Sequence, residues 1–194
     1  MTTFADTTVH SAPLLETERL HLRGFQRDDL DALAEILGDP VVARHLSGEP
    51  LSREDSWRKL MTAVGQWPLL GFGYWAVETK TEGKLVGQLG FGIFERSIVA
   101  NYSELPEMGW IFSPAVHGRG VALEAGHAAL AWLEARLGPT PTWAIISPGN
   151  IASLKLAERL GFERQGDSIY HDEPIAVVRR PLEAKPLRAL KTTG

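Results

Sequence analysis

An α+β fold is predicted by two features in the middle of this 194-residue chain. Three strand patterns follow one another with short links, at Phe72–Glu78, Lys84–Phe94 and Tyr102–Phe112, as in an antiparallel meander. A strand, a helix and a further strand then span residues 107–146, which is the pattern of a βαβ unit. We therefore expect a mixed and mostly antiparallel sheet.

A single domain over residues 14–180 accounts for the patterned part of the chain. No internal repeat and no linker interrupts it, and the length suits one hydrophobic core. Residues 1–13, rich in Thr, Ser and Ala, and residues 181–194, with three basic side chains, are predicted to be flexible tails.

The first elements of the domain are a strand and two helices. Alternation of apolar and polar residues predicts a strand over Leu14–Arg23. A helix through Leu30–Leu37 follows behind an aspartate cap. Ser52 caps a second helix, which we expect to end before a turn at Trp67–Gly71.

The second half of the chain carries the longest helical pattern, Gly118–Leu137. A short apolar strand at Thr142–Ile146 suits the centre of a sheet. An asparagine-capped helix over Ile151–Leu160 comes next. A last hairpin has its strands at Phe162–Tyr170 and Ile175–Arg179.

Composition excludes several classes of function. The net charge of −4 argues against a nucleic-acid binder, which would present a basic face. The chain has no cysteine, so disulfides, thiolate metal ligands and a cysteine nucleophile are excluded, and no metal site is predicted. We find no secretory signal and no apolar run of about 18–20 residues, and we expect a cytoplasmic protein without a membrane partner. Both a monomer and a homodimer are compatible with the sequence.

The stretch His117–Ala125 joins a strand to the long helix and is predicted to bind an anion. Gly118 and Gly120 lack a Cβ, so a phosphate can approach the main chain there. The helix N-terminus adds about four free N–H groups and a partial positive charge. Arg119 adds a charge that does not titrate near neutral pH. The same glycines also suit a tight turn before a packed helix, so the loop alone leaves both interpretations open.

Two phosphate motifs do not match this loop. A dinucleotide fingerprint requires a third glycine where this chain has Leu123. It also requires an acidic residue at the end of the next strand, and Thr140–Ile146 has none. A P-loop requires Gly-Lys-Ser/Thr, which is absent. The remaining description of this loop is a Gly-x-Gly turn that leads from an antiparallel strand into a helix.

This loop and several further motifs resemble the GNAT superfamily of N-acetyltransferases, and within it the RimJ/RimL-like branch typified by ribosomal-protein N-terminal acetyltransferases. The similar stretches are His117–Ala122, Asn150–Ser153, Leu160–Phe162, Leu15–Arg23, Glu107–Trp110 and Gly71–Trp75. The resemblance covers residues 14–180. It implies a GNAT-like acyl-CoA N-acyltransferase fold, in which a mixed, mostly antiparallel twisted sheet of about seven strands has helices on both faces.

The resemblance implies acetyl-CoA as the co-substrate. The pyrophosphate would lie on the backbone of His117, Gly118, Arg119, Gly120, Val121 and Ala122. The pantetheine arm would pair with the strand that contains Trp110, Ile111 and Phe112, where that strand splays from the next one. Asn150 and Ser153 match positions that contact this arm, although Asn150 is also a plain helix cap.

By the same resemblance, a neutral amine attacks the acetyl carbonyl directly, which requires a base, an oxyanion donor and an acid. A strand N–H near Ile111 is expected to be the oxyanion donor. Glu107 is the first choice as the base, ahead of Glu104, His45 and His117. An exposed charge at the end of a strand is the alternative interpretation of Glu107.

The tyrosine that serves as the acid in many members of the family is missing, because Ala157 occupies its position. The RimL-like branch implies Ser153 in that role, with water as the alternative. The missing tyrosine also leaves room for a second function, that of a non-catalytic acyl-CoA-binding module. The acceptor is left open: a protein N-terminus, an amino acid, a polyamine and an aminoglycoside-like amine would all fit.

Overall fold

A computed structural model describes residues 11–46, 48–96, 98, 102 and 104–182 of the chain. The strands are β1 (Leu15–Glu16), β2 (Leu20–Arg23), β3 (Tyr74–Thr79), β4 (Leu85–Gly92), β5 (Glu107–Phe112), β6 (Thr142–Ile146), β7 (Glu163–Tyr170) and β8 (Glu173–Arg180). The helices are α1 (Leu30–Gly38), α2 (Pro40–Ala43), α3 (Arg53–Leu70), α4 (Val121–Leu137) and α5 (Ile151–Arg159). Most of the two predicted tails lies outside the described residues.

The strands form one mixed sheet of eight strands in the order β1-β2-β3-β4-β5-β6-β8-β7. Neighbours pair antiparallel, except β5 and β6, which run parallel. The predicted α+β class is therefore confirmed. The sheet has eight strands rather than about seven because the first predicted strand is a hairpin. Thr17 turns the chain there, since its N–H donates to the carbonyl of Leu20 at 3.0 Å and its Oγ1 accepts from the N–H of Leu20 at 3.0 Å.

Helix α3 runs further than the sequence predicted, and the expected turn at Trp67–Gly71 is wrong. Pro68 lies inside the last helical turn, where it removes one hydrogen bond from the ladder. Gly71, at φ +74°, ends the helix, and its N–H donates to the carbonyl of Trp67 at 2.9 Å. The ring of Trp67 packs edge-on against Trp75 at 4.7 Å. This burial offsets the cost of the proline.

Helices cover both faces of the sheet, as predicted. On one face, α1 and α3 pack through Leu33, Leu37 and Leu60, against Leu85 and Ile111 of the sheet. On the other face, α4 buries a stripe of small and apolar residues, which includes Ala125, Ala129, Leu130 and Leu133. Among the described residues, none of the helices has the length and apolar character that a bilayer crossing requires. The cytoplasmic location stays a prediction.

Candidate active site

Strands β5 and β6 part at the centre of the sheet. Their parallel register holds at one pair, Glu107 with Trp143, and the N–H of Trp143 donates to the carbonyl of Pro106 at 3.2 Å. Beyond this pair a cavity of about 900 Å³ is lined by β5 on one side and by Ile145 and Ile146 of β6 on the other. The sequence predicted this slot at the same strands.

The loop after β5 has the backbone shape that an anion site needs. Gly118 has φ +72° and Gly120 has φ +76°, a left-handed region that favours glycine. A Cβ on Gly118 would meet no atom within 4 Å, and one on Gly120 would meet first a guanidinium nitrogen of Arg19 at 3.5 Å. The N–H of Glu124 donates to the carbonyl of Gly120 at 3.0 Å. The three N–H groups before it, at 121–123, therefore have no acceptor within the helix.

This geometry accommodates both interpretations of the loop. The chain does make a tight turn, and helix α4 begins at Val121 rather than at the predicted Gly118. The space over the two glycines is nevertheless open, and first-turn N–H groups face the same helix end. The residues present therefore fit the diphosphate of coenzyme A, with Val121 and Ala122 supplying backbone rather than side chains.

Asn150 and Ser153 lie together at the start of α5, the helix that follows β6. Oδ1 of Asn150 accepts from the N–H of Ser153 at 3.0 Å, so the helix cap is present as the plain interpretation expected. Oγ of Ser153 accepts from Nε1 of Trp110 at 3.1 Å. A hydroxyl that accepts one such bond keeps its own proton for donation. Ser153 therefore lines the cavity with a hydroxyl proton that is free for donation.

His117 holds the end of β5. Its Nε2 lies 3.0 Å from the carbonyl oxygen of Phe112, so this nitrogen donates. His117 is not among the residues that line the cavity, which does not support the prediction of His117 as a weaker candidate for the base. Glu104 is exposed in the turn before β5, whereas His45 does line the cavity.

Sequence reasoning missed the contact that fixes the glycine loop in place, which we call the Glu124 latch: Glu124 with Thr17 and Arg19. Glu124 lies in the first turn of α4 and is 4% exposed. Its carboxylate accepts from Oγ1 of Thr17 at 2.6 Å, from the N–H of Arg19 at 2.9 Å and from Nε of Arg19 at 2.6 Å. Nη1 of Arg19 also donates to the carbonyl of Arg119 at 2.9 Å, which brings a positive charge to the loop. The motif Leu15–Arg23 was recognised in the sequence, but nothing in it indicated a contact with Glu124.

The latch predicts a pH-dependent loss of stability on Glu124→Gln. Burial raises the pKa of Glu124, but the hydrogen bonds from Thr17 and Arg19 outweigh it, so the pKa lies below the ordinary 4.5. Because the pKa is lower in the folded state, the carboxylate stabilises the fold at neutral pH, and this contribution is lost as pH falls through the folded-state pKa. We expect Glu124→Gln to cost about 1.5–3 kcal/mol at neutral pH and less in acid, measured by urea denaturation.

A matched control for this prediction is Glu82→Gln, which also neutralises an ion-paired glutamate, but on the surface beside Lys84. Its effect should stay within about 0.5 kcal/mol. An equal loss for Glu124→Gln at neutral and acidic pH would show that packing rather than charge holds the latch.

Glu107 lies on the opposite side of the slot from Ser153 and is buried, not an exposed strand end. It is 4% exposed and lines the cavity at the point where β5 and β6 part. Its Oε2 accepts from Nε of Arg96 at 2.6 Å. The guanidinium of Arg96 is stacked on the rings of Phe94, at 4.8 Å, and Tyr170, at 4.7 Å. Burial raises the pKa of Glu107, and the Arg96 pair offsets part of that rise.

Tyr74 lines the cavity, and the sequence analysis did not identify it as a site residue. It pairs with Gly90, which pairs with Gly109 of β5, so two missing side chains leave room for the tyrosine ring across the strands. A Cβ on Gly109 would lie 2.2 Å from the Tyr74 hydroxyl oxygen. Burial and the charge of Glu107 raise the pKa of Tyr74, so its hydroxyl stays protonated beside the slot.

Comparison with known proteins defines the class as an acetyltransferase. Residues 19–163 match the model of the acetyltransferase (GNAT) domain. The uncharacterized protein YkkB of Bacillus subtilis (strain 168) is 30% identical over 173 residues, which are 86% of this chain and 94% of that protein. The chain belongs to the GNAT family of acetyltransferases.

Two solved structures support this assignment at different levels. An acetyltransferase from Agrobacterium tumefaciens str. C58 has a TM-score of 0.74 at 27% identity, over 87% of this chain and 94% of that one. RimL, a ribosomal-protein acetyltransferase solved in complex with coenzyme A, has a TM-score of 0.70 at 16% identity, over 89% of this chain and 100% of that one. At that identity RimL shows the shared fold. The predicted membership of the GNAT superfamily is confirmed, and the resemblance to RimJ/RimL-like proteins holds at the level of the fold.

Proposed function

We propose that the chain transfers an acetyl group from acetyl-CoA to a primary amine in the slot between β5 and β6. One observation carries the proposal: the two strands part between a glycine loop that fits a diphosphate and a buried carboxylate that fits a base. The cofactor side of the slot is formed by the glycine loop, Asn150 and Ser153. The acceptor side is the opposite face, which carries Glu107 and Tyr74.

On the cofactor side, the backbone from His117 to Ala122 binds the diphosphate and the edge of β5 at Trp110–Phe112 orients the pantetheine arm. Acetyl-CoA supplies the activated acetyl thioester when bound. A backbone N–H near Ile111 stabilises the oxyanion. Ser153 donates a proton toward the sulfur, because Nε1 of Trp110 fixes its oxygen and leaves its O–H free.

On the acceptor side, Glu107 removes the proton of the amine, directly or through one water. A carboxyl with a raised pKa is a better match to neutral pH than an ordinary glutamate, which favours proton transfer. Arg96 holds the carboxylate in place and favours its charged form. An α-amine, with a pKa of about 8, needs less help from this base than a lysine side chain at about 10.4.

The test is a pair of measurements on the purified chain. Saturating acetyl-CoA should raise the melting temperature, since ligand at 100 times its Kd adds about 2.7 kcal/mol of stability. A panel of primary amines should then release free CoA faster than background hydrolysis. An unchanged melting temperature would contradict any coenzyme A site in this chain.

The alternative is a non-catalytic acyl-CoA-binding module. It is favoured by Ala157, which is 1% exposed and cannot supply the tyrosine acid of many family members. Tight binding of acetyl-CoA with no turnover of any amine would select this alternative.

A further inference from the structure

The acceptor side of the slot contains a lysine without a counter-ion. Lys59, Thr62, Ala63 and Gln66 line the cavity from one face of α3, at the spacing of neighbouring helical turns. Within the described part of the chain, Lys59 forms neither a hydrogen bond nor an ion pair. The internal residues outside that part cannot supply a carboxylate, because they are Ser47, Ser97, Val99, Ala100, Asn101 and Ser103. A cation that is half-buried without a partner is costly in free energy unless an anion joins it.

The other charges around the cavity do not provide that anion. Arg96 and Glu107 already form an ion pair at 2.6 Å. Arg44 and Glu173 also line the cavity, and both are exposed at its rim.

Burial and the nearby charge of Arg96 lower the pKa of Lys59, and the charge of Asp55, one helical turn away, offsets part of that fall. Asp55 forms its ion pair with Arg58, at 2.9 Å, rather than with Lys59. The cavity lining therefore carries a lysine that has no ion pair of its own, together with the proposed base.

Two buried glutamines also line the cavity. Gln66 and Gln88 are 7% and 6% exposed. In the described residues the side-chain oxygen of each has no hydrogen-bond partner, but each oxygen is itself buried from solvent. The charge of Lys59 is therefore the feature of this lining that can select a charged ligand.

We infer that the acceptor is a primary amine that also carries a carboxylate, and that Lys59 binds this carboxylate while Glu107 receives the proton of the amine. The inference rests on the proposed function and specifies its substrate class. A neutral amine leaves Lys59 without a counter-ion. A polyamine or an aminoglycoside brings further cations to a wall that already carries Lys59 and Arg96. A free amino acid and a peptide with an acidic side chain near its N-terminus both have the required chemistry.

Two matched pairs of amines test the substrate class. Phenylalanine and phenethylamine differ by the carboxylate of a free amino acid, and the peptide amides Ser-Asp-Ala and Ser-Asn-Ala differ by a side-chain carboxylate. We expect the wild-type protein to favour the anionic member of at least one pair by about tenfold or more in kcat/KM, a factor that one ion-paired contact can supply. The pair that shows the preference identifies the source of the carboxylate.

The variant Lys59→Met keeps the length of the side chain and removes its charge. In this variant the ratio of kcat/KM for the anionic amine to that for the neutral amine should approach one. The change should come mostly from a higher KM for the anionic amine, while activity on the neutral amine changes little. The difference in intrinsic reactivity between the two amines cancels when the variant is compared with the wild type. Lys84→Met is the control, because Lys84 is an exposed lysine in the β3–β4 turn, paired with Glu82.

Equal or better turnover of neutral or cationic amines by the wild type would overturn the inference. So would a uniform loss of activity on both members of each pair in Lys59→Met, which would make Lys59 part of the chemistry rather than of specificity. Binding of the N-acetylated products, read as a rise in melting temperature with coenzyme A present, provides a second measurement. N-acetylphenylalanine should stabilise the wild type more than N-acetylphenethylamine does, and Lys59→Met should remove the difference. Acetyl-CoA binding without turnover would instead contradict the proposed catalytic function, and the product-binding difference would still decide the inference.

Discussion

Gly120→Glu is expected to weaken coenzyme A binding by well over tenfold, or more than about 1.4 kcal/mol. Gly120 lies at the N-terminus of α4 with φ +76°, and a Cβ there would make an ordinary contact with a guanidinium nitrogen of Arg19, at 3.5 Å. A glutamate there would place both a side chain and a negative charge where the diphosphate is proposed to lie. It would also adopt a left-handed conformation at a cost of about 1–2 kcal/mol. Titration calorimetry with coenzyme A measures the loss.

The control for this variant is Gly83→Glu. Gly83 has φ +62° in the exposed turn between β3 and β4, and a Cβ there would meet no atom within 4 Å. The control therefore carries the same backbone strain and the same added charge outside the slot, and it should bind coenzyme A as the wild type does. An unchanged affinity in Gly120→Glu would mean that the diphosphate binds elsewhere.

Glu107→Gln is expected to lower kcat by about 10²- to 10⁴-fold, the range for loss of a general base, with little change in coenzyme A affinity. The amide keeps an oxygen that can accept from Nε of Arg96, so the local geometry is retained. The pH dependence of activity tests whether Glu107 acts as the base. Burial holds the pKa of Glu107 above its ordinary 4.5, so wild-type activity should fall as pH drops through that raised value. The variant should lack this acidic limb.

Glu104→Gln serves as the control, because Glu104 is an exposed carboxylate in the turn just before β5. It should keep the activity and the pH profile of the wild type. If Glu107→Gln retained full activity, or if both variants shared the same acidic limb, a different group would have to be the base. Melting temperatures of both variants separate a catalytic loss from unfolding.

The sequence predicted correctly those features that depend on residues close together in the chain. The two glycines around Arg119 predicted a turn onto a helix and an anion site, and the structure has open left-handed glycines there. Asn150 predicted a helix cap, and its side chain makes that bond. The resemblance singled out Glu107 as the candidate base, although not its burial or its ion pair with Arg96. Short-range features of this kind depend on backbone conformation, which a few adjacent side chains determine.

Contacts between distant segments required the tertiary structure. The latch joins Arg19 to Glu124 across 105 residues, and no local pattern could pair them. Tyr74 reaches the slot because glycines of two further strands stand in register beside it. Helix α3 continues past Pro68 because Trp67 is buried there, which outweighs the local tendency of proline to end a helix.

The sequence by itself therefore determined the family, the α+β class and the loop proposed to hold acetyl-CoA, because these depend on short motifs and on the periodicity of single elements. The tertiary structure decided the chemistry on the proposed acceptor side of the slot. It buried Glu107 beside Arg96, and it brought Lys59 from a separate helix to the same cavity without a counter-ion. The physical reason is that burial and charge pairing are properties of the assembled sheet and helices. A pKa or an unpaired cation arises only when segments far apart in the chain are packed together.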